Sequence, residues 1–212
     1  MNDMMFDKAK TYKLWSTICG IGLVMIIIAP VLCQAIRPAG VRKEISSSRN
    51  RQKQDIRIAK LEKHIHNLIN GERKKHGLSS LTFNVSLNAI ARRHSDDMAG
   101  RNYFSHYSPE GHGFPYRYNK AGYACRIHGK GTSYFTGAEN IYRNNLYNRV
   151  TIVKGVKYHD WNSLETIAGT TVEGWMSSSG HRKNILMPHW RSEGIGVAIS
   201  SDGRVYITQN FC

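Results

Sequence analysis

Histidine and glutamate side chains recur beside turn-forming residues in three short segments of the chain. These segments are 103–111 (YFSHYSPEG), 137–141 (GAENI) and 173–186 (EGWMSSSGHRKNIL). Each places a His or a Glu among aromatic or aliphatic neighbours, where a charged group costs free energy unless it is paired or bound to a metal. Imidazole and carboxylate groups bind divalent metals and can act as general acids or bases. The three segments are therefore the candidates for the chemistry of this protein.

Several common catalytic and cofactor-binding motifs are missing from the sequence. It contains no Gly-rich phosphate loop of the GxxxxGK[ST] or GxGxxG type, and no HExxH, GxSxG or CxxC. The sequence therefore predicts no nucleotide-phosphate loop of these types and no structural zinc ribbon.

The spacing of apolar residues predicts helices that surround a small antiparallel sheet, which is an α+β layered domain. An amphipathic helix is expected over 55–76, with Gly77 at its end. Two strands are expected over 194–200 and 205–211, with a turn at Asp202-Gly203. The other expected elements are a helix capped by Ser86, a helix over 114–121, an extended segment over 133–142, a hairpin over 150–158 that turns at Lys154-Gly155, and a helix over 164–177 capped by Ser163.

An uncharged segment near the start, residues 14–36, is long enough to cross a membrane. As a helix it would span roughly 34 Å, against a bilayer hydrocarbon core of about 30 Å. We predict an uncleaved transmembrane anchor, preceded by a short tail at 1–13. The alternative is a signal peptide cleaved after Ala35, although the apolar part of such peptides is usually shorter.

Basic residues are concentrated just after this segment. Residues 37–76 hold twelve Lys or Arg against four Asp or Glu, a balance of +8 in a chain of net charge +15. We predict a flexible basic linker at 37–54 and a folded domain at 55–212. The charge could hold the linker to anionic lipid at about 1 kcal/mol per basic residue, or merely keep a solvated linker extended. No specific nucleic-acid partner is predicted.

Five strings in chain order carry a resemblance to a known family: LINGERKKHGL, LNAIARRHSDDMAGRNYFSH, AENIY, GWMSSSGHRKNIL and GIGVAISSDGRVYITQNF. From about residue 61 to 212 the chain resembles the CAP superfamily, also called the SCP or SCP/TAPS domain. That superfamily includes cysteine-rich secretory proteins, antigen 5 and plant pathogenesis-related 1 proteins. The pattern is most similar to its prokaryotic secreted branch.

The resemblance implies a three-layer α-β-α sandwich with a central antiparallel sheet and a large cleft. It also implies that His106 and His181 line the cleft and can bind a divalent metal, Zn²⁺ or Mg²⁺. Glu139 and Glu173 would support the histidines or serve as additional ligands.

Two features depart from the family pattern. Ala138 stands where the family usually has Gly, and the stretch 141–171, which holds the expected hairpin, is longer than in short members. We expect this insertion to wall or cover the cleft.

Three functions remain open from the sequence. The leading hypothesis is a membrane-anchored, extracytoplasmic binding module for a lipid or a cell-surface polymer. The second is a metal-dependent, peptidase-like hydrolase in which Glu139 or Glu173 is the general base. The third is a structural surface protein. Lys and Arg counts around the apolar segment favour a cytoplasmic domain. Members of the resembling family are secreted, however, and long domains can be exported despite flanking charge, so we predict an extracytoplasmic domain. A cleaved signal would leave the domain secreted, and the oligomeric state is open.

Five other residues have simpler interpretations. We expect His94, Trp175 and Trp190 to lie in the core. Cys125 and Cys212 would form a disulfide in an oxidising compartment, the alternative being two free thiols.

Overall fold

The computed structural model describes residues 39–129 and 131–212, with side chains from residue 57 onward. The predicted tail and the predicted apolar anchor lie outside the described residues. The helices are α1 (Ala39–Lys75), α2 (Val85–Arg101), α3 (Phe114–Lys120), α4 (Leu164–Ser177) and α5 (Ser179–Ile185). The strands are β1 (Thr82–Phe83), β2 (Ile127–His128), β3 (Tyr134–Phe135), β4 (Ala138–Asn145), β5 (Tyr147–Val153), β6 (Val156–Trp161), β7 (Ser192–Ile199) and β8 (Arg204–Phe211).

The central sheet has four strands in the order β1-β7-β8-β4. β7 and β8 form the predicted hairpin, and β4 pairs antiparallel with β8. β1 runs parallel to β7, so the sheet is mixed rather than purely antiparallel. The long chain between β1 and β7 allows this direction, since parallel strands need a long crossover connection. β2 with β3 and β5 with β6 form two separate two-stranded sheets.

Helix α2 lies directly on one face of the sheet because β7 presents glycines to it. A Cβ at Gly194 would overlap the main chain at Asn88, and one at Gly196 would overlap the main chain at Arg92. Ser95 of α2 also donates its hydroxyl to the main-chain oxygen of Gly196, at 2.9 Å. Because Gly194 and Gly196 have no side chains, helix α2 can pack directly against the main chain of β7.

The opposite face of the sheet holds the main apolar core. Alternate residues of β7 and β8, which point to this face, pack with α1 and α4. The completely buried members include Ile65, Ile69, Trp175, Ile195, Val197 and Ile207. Helices thus cover both faces of the sheet, as an α-β-α sandwich requires.

Helix α1 begins at Ala39, within the stretch 37–54 that we predicted to be a flexible linker. The physical reason is that residues 41–54 contain no Gly or Pro and many Arg, Lys and Gln, which are good helix formers. Extending an existing helix also avoids the cost of nucleation. Among the described residues, no helix has the length and apolar character needed to cross a membrane.

Residues 40–212 form one compact unit. All members of its main core cluster lie between Ile58 and Phe211. Because this unit contains the whole of that core, we expect it to fold by itself.

Most predicted helix ends and turns are confirmed. Ser163 caps α4, and its hydroxyl accepts a hydrogen bond from the main-chain nitrogen of Thr166. The cap of α2 is Asn84 rather than Ser86, since the Asn84 side chain accepts from two main-chain N–H groups of the first turn. The disulfide between Cys125 and Cys212 is present, with 5.6 Å between the Cα atoms.

Candidate functional site

The candidate site lies at β4, an edge strand of the central sheet. Glu139 is the second residue of β4. His106 is in the loop that follows α2, and His181 is in the short helix α5. The structure thus brings three of the four predicted residues to one end of the sheet from three different segments.

Glu139 is a buried carboxylate with a partner on each oxygen. Its Oε1 lies 2.9 Å from Nδ1 of His106, and its Oε2 accepts a hydrogen bond from Nη2 of Arg117 at 2.6 Å. Only 1% of the Glu139 side chain is exposed. A buried charge of this kind is tolerated because it is paired and hydrogen-bonded.

Arg117 of α3 is a site residue that the sequence analysis missed. Besides Glu139, it donates to the main-chain oxygen of His106 at 3.1 Å and to that of His112 at 2.8 Å. It therefore fixes both the carboxylate and the loop that carries His106. The only signal in the sequence was a basic residue between two tyrosines in FPYRYNK.

The rings of His106 and His181 lie near each other. Their ring centroids are 6.5 Å apart and the rings are inclined by 45°. The His106 side chain is 43% exposed. Burial, and then the neighbouring His106, lower the pKa of His181 below its ordinary value. His181 is therefore neutral at neutral pH, the state in which imidazole can bind a metal.

Glu173 differs from Glu139 in its exposure to solvent. It is on α4 and its side chain is exposed. Among residues 57–129 and 131–212, no three His, Cys, Asp or Glu side chains converge closely enough to hold a metal ion together. The ligand role of Glu173 therefore stays a prediction.

A chain of buried polar side chains runs behind the site, on the sheet face that carries the core. Asn140 donates its amide to Oε1 of Gln209 at 2.9 Å, and Gln209 donates to Oε2 of Glu193 at 2.5 Å. Glu193 Oε1 lies 2.6 Å from Nδ1 of His66 on α1. Asn140 also accepts from Asn184 of α5 at 2.9 Å. The sequence contained one signal for these buried hydrogen bonds, namely the polar residues inside the otherwise apolar strand β8.

His94 is a core histidine, as predicted. It is 2% exposed and its Nε2 lies 3.0 Å from the main-chain oxygen of Ser105. The same nitrogen is 4.0 Å from Oε1 of Glu139, so His94 closes the buried side of the site. Burial is the main reason that its pKa is below the ordinary value. Trp175 and Trp190 are buried as well.

A cavity of about 610 Å³ opens next to the site, between α2 and α3. His94 and Arg117 are among its walls, together with other charged residues of these helices. All the residues that line it lie between Ile90 and Ala121. The insertion at 141–171 therefore does not wall this cavity, because its residues form β4, the β5–β6 hairpin and part of α4 instead.

Comparison with sequence families identifies relatives. The model of the CAP family, the cysteine-rich secretory protein family, matches residues 66–211. The uncharacterized protein YkwD of Bacillus subtilis (strain 168) is 35% identical over 154 residues, which are 73% of this chain and 48% of YkwD. The uncharacterized membrane protein YlbC of the same strain is 33% identical over 150 residues, 71% of this chain and 34% of YlbC. The chain thus spans about half of the first relative and about a third of the second.

Solved structures share the fold. An extracellular protein containing an SCP domain from Bacillus anthracis (strain Ames) has a TM-score of 0.52 at 25% identity, over 72% of this chain and 40% of that one. An outer surface protein of Borrelia burgdorferi also has a TM-score of 0.52, at 15% identity, over 72% and 91% of the two chains. The family match covers well over half of the 212 residues and confirms the resemblance read from the motifs, so this chain belongs to the cysteine-rich secretory protein (CAP) family.

Proposed function

We propose that this chain is an extracytoplasmic binding module whose cleft holds a divalent metal between His106 and His181. The observation that carries the proposal is the pair of neighbouring imidazoles, 6.5 Å apart between centroids, one of which is oriented by a buried carboxylate. The ligand class that we propose is a lipid or a cell-surface polymer.

The protonation states of the two histidines suit a metal. When the Nδ1–H of His106 donates a hydrogen bond to Glu139, Nε2 keeps its lone pair for a ligand. His181 is neutral because its pKa is lowered. Imidazole nitrogens favour Zn²⁺ over Mg²⁺, which prefers oxygen ligands.

Two protein ligands leave further coordination positions open. Water or a group of the bound molecule would occupy them, so the metal would supply an attachment point for an anionic or carbonyl oxygen. Such a site can bind a ligand reversibly, and no protein group has to form or break a covalent bond.

Hydrolysis with Glu139 as the base is disfavoured by geometry. A general base must accept a proton from the reacting group, yet both oxygens of Glu139 already bind His106 and Arg117. Glu173, which is exposed, is the only one of the two predicted carboxylates left for that role. The arrangement of Glu139 is that of a group which positions a histidine.

The extracytoplasmic location is supported by relatives. The Bacillus anthracis protein is described as extracellular, and YlbC as a membrane protein. The disulfide at the end of the chain also fits an oxidising compartment. In this proposal the apolar segment 14–36 is the membrane anchor.

Zinc titration calorimetry on residues 40–212 tests the metal site. The test variant is His106→Ala/His181→Ala, and the control is His76→Ala/His128→Ala, which also removes two imidazoles but from exposed positions. We expect the control to bind zinc like the wild type and the test variant to bind none. Equal binding by both variants, or no binding by the folded wild type, would overturn the proposal. A parallel titration with Mg²⁺ decides the preference between the two metals.

A further inference from the structure

The hairpin of β5 and β6 carries an unusual amount of exposed apolar surface. Its strands pair only with each other and belong to no larger sheet of the described chain. Of the eleven large hydrophobic side chains that are exposed in the described residues, six lie in this hairpin: Val150, Ile152, Val153, Val156, Tyr158 and Trp161. Concentrated exposed apolar surface of this kind marks an interaction site.

The hairpin is a defined structure with a fixed base. At its tip, Lys154 and Gly155 have φ angles of 49° and 79°, which a tight two-residue turn between antiparallel strands requires. At its base, the Tyr147 hydroxyl donates to the main-chain oxygen of Asp202 at 2.7 Å. The main-chain nitrogen of Asn162 donates to the oxygen of Leu146 at 2.8 Å. The base is therefore attached to the body, while the apolar tip is left uncovered.

The apolar side chains of the hairpin lie on both of its faces. Val153 pairs with Val156, and Tyr158 lies two positions further along β6, so these three share one face. Ile152, which is 64% exposed, points to the other face. A protein docked against one face would leave the other in water. A lipid interface surrounds an inserted tip on all sides.

The charges of the hairpin specify the kind of interface. The hairpin contains one acidic residue, Asp160, and three basic residues, Arg149, Lys154 and Lys157, so its net charge is positive. Lys154 lies between the tip valines and Lys157 follows Val156, so both basic groups are close enough to the tip to meet the headgroups of an anionic bilayer.

We propose that the β5–β6 hairpin is a membrane-docking element whose tip enters the interfacial region of an anionic lipid bilayer. The tip valines and Ile152 enter the boundary between headgroups and acyl chains, and Lys154 and Lys157 bind lipid phosphates. Both edges of a two-stranded sheet have unpaired main-chain groups, so the hairpin stops at the interface and does not cross the hydrocarbon core. This inference is independent of the metal proposed between His106 and His181.

Vesicle sedimentation with residues 40–212 tests the inference. Vesicles of phosphatidylglycerol and phosphatidylcholine are compared with vesicles of phosphatidylcholine alone. Val153→Asp/Val156→Asp removes the apolar tip and adds two charges, and Val153→Ser/Val156→Ser removes it without a charge change. The charge-matched control is Val85→Asp/Ser86→Asp, at exposed positions of α2. All variants keep the basic residues of α1, so that contribution cancels.

We expect the wild type to bind the anionic vesicles, and both tip variants to lower the partition coefficient by about tenfold or more. The control should lower it much less. A Tyr158→Trp reporter in a Trp161→Phe background should shift its emission to the blue on binding, because its ring leaves water. The other two tryptophans of this unit are already buried, so the shift would come from the reporter.

Three results would overturn the inference. The first is unchanged binding by the serine variant, which would leave only electrostatic attraction. The second is an equal loss in the control. The third is a wild-type dimer, measured by light scattering, that the serine variant dissociates, since it would make a second copy the partner. With a chelator present, so that no metal occupies the cleft, the wild type should still bind the anionic vesicles and the tip variants should still lose that binding, so this inference and the metal proposal can fail separately.

Discussion

Asn140 donates its side-chain amide to the main-chain oxygen of His181, with 3.2 Å between nitrogen and oxygen. Its neighbour Glu139 binds His106 on the other side of the same strand. Because successive residues of a strand point to opposite faces, one dipeptide of β4 positions both histidines, one by its ring and the other by its main chain.

Asn140→Ala should therefore weaken both stability and metal binding. It removes the bond to His181 and also the bonds that Asn140 makes with Gln209 and Asn184. We expect a loss of about 1–3 kcal/mol in the free energy of unfolding, measured by urea denaturation, and weaker zinc binding. The control is Asn144→Ala on the same strand, which binds α4 instead. Zinc binding that is weakened equally by the control would refute the positioning role of Asn140.

Glu139→Gln tests the buried carboxylate, with Glu173→Gln as its exposed counterpart. The first substitution leaves the guanidinium of Arg117 without an ion partner, so we expect a loss of about 3 kcal/mol in unfolding free energy. An amide can also donate to Nδ1 of His106, which moves the ring proton to Nε2. Zinc affinity should then fall about 10–100-fold. Glu173→Gln should change stability by less than about 0.5 kcal/mol. A large effect of Glu173→Gln on zinc affinity would make Glu173 a ligand.

The features of the fold that could be predicted are those determined by a few neighbouring residues in the sequence. Ser163, the turn at Lys154-Gly155 and the alternation in β7 and β8 are short patterns whose physics is contained within a few residues. The two histidines and Glu139 were found through motifs of a known family. Arg117 was missed because its partner Glu139 is 22 residues away and no local pattern reports that pairing.

The direction of β1 and the buried polar chain were missed for a related reason. Two residues, Thr82 and Phe83, are too few to show strand periodicity, and their pairing with β7 depends on a contact across more than a hundred residues. Glu193 and Gln209 are buried polar residues in strands whose other inward-facing residues are apolar. Their burial is acceptable only because His66 and Asn140 reach them, which the fold alone determines.

His94 makes stability depend on pH. Its folded-state pKa is lowered, chiefly by burial, so the unfolded chain takes up its proton at higher pH than the folded protein does. The stabilisation is complete above the ordinary histidine pKa of about 6.5 and is lost as the pH falls through and below that value. His94→Gln keeps an N–H donor for the oxygen of Ser105 but cannot titrate. Between about pH 6.5 and 5, its unfolding free energy should fall less steeply than that of the wild type, by up to about 1.4 kcal/mol per pH unit. His128→Gln, at an exposed position, should follow the wild-type curve, and parallel curves for His94→Gln and the wild type would contradict the assignment.

Gly196→Ala tests the contact that joins α2 to the sheet. A methyl group there would overlap the main chain at Arg92, and main chain in a helix cannot rotate away as a side chain can. We expect a loss of about 1–3 kcal/mol or more in unfolding free energy, because α2 must move off β7. That movement would also shift His94, which α2 carries against Glu139. The matched control is Gly169→Ala inside α4, where a Cβ meets no atom within 4 Å. There the substitution should stabilise the protein by about 0.5–1 kcal/mol, since Ala favours a helix over Gly. Opposite signs for one chemical change would show that the cost at Gly196 is steric, whereas a neutral Gly196→Ala would mean that α2 and β7 are not in direct contact.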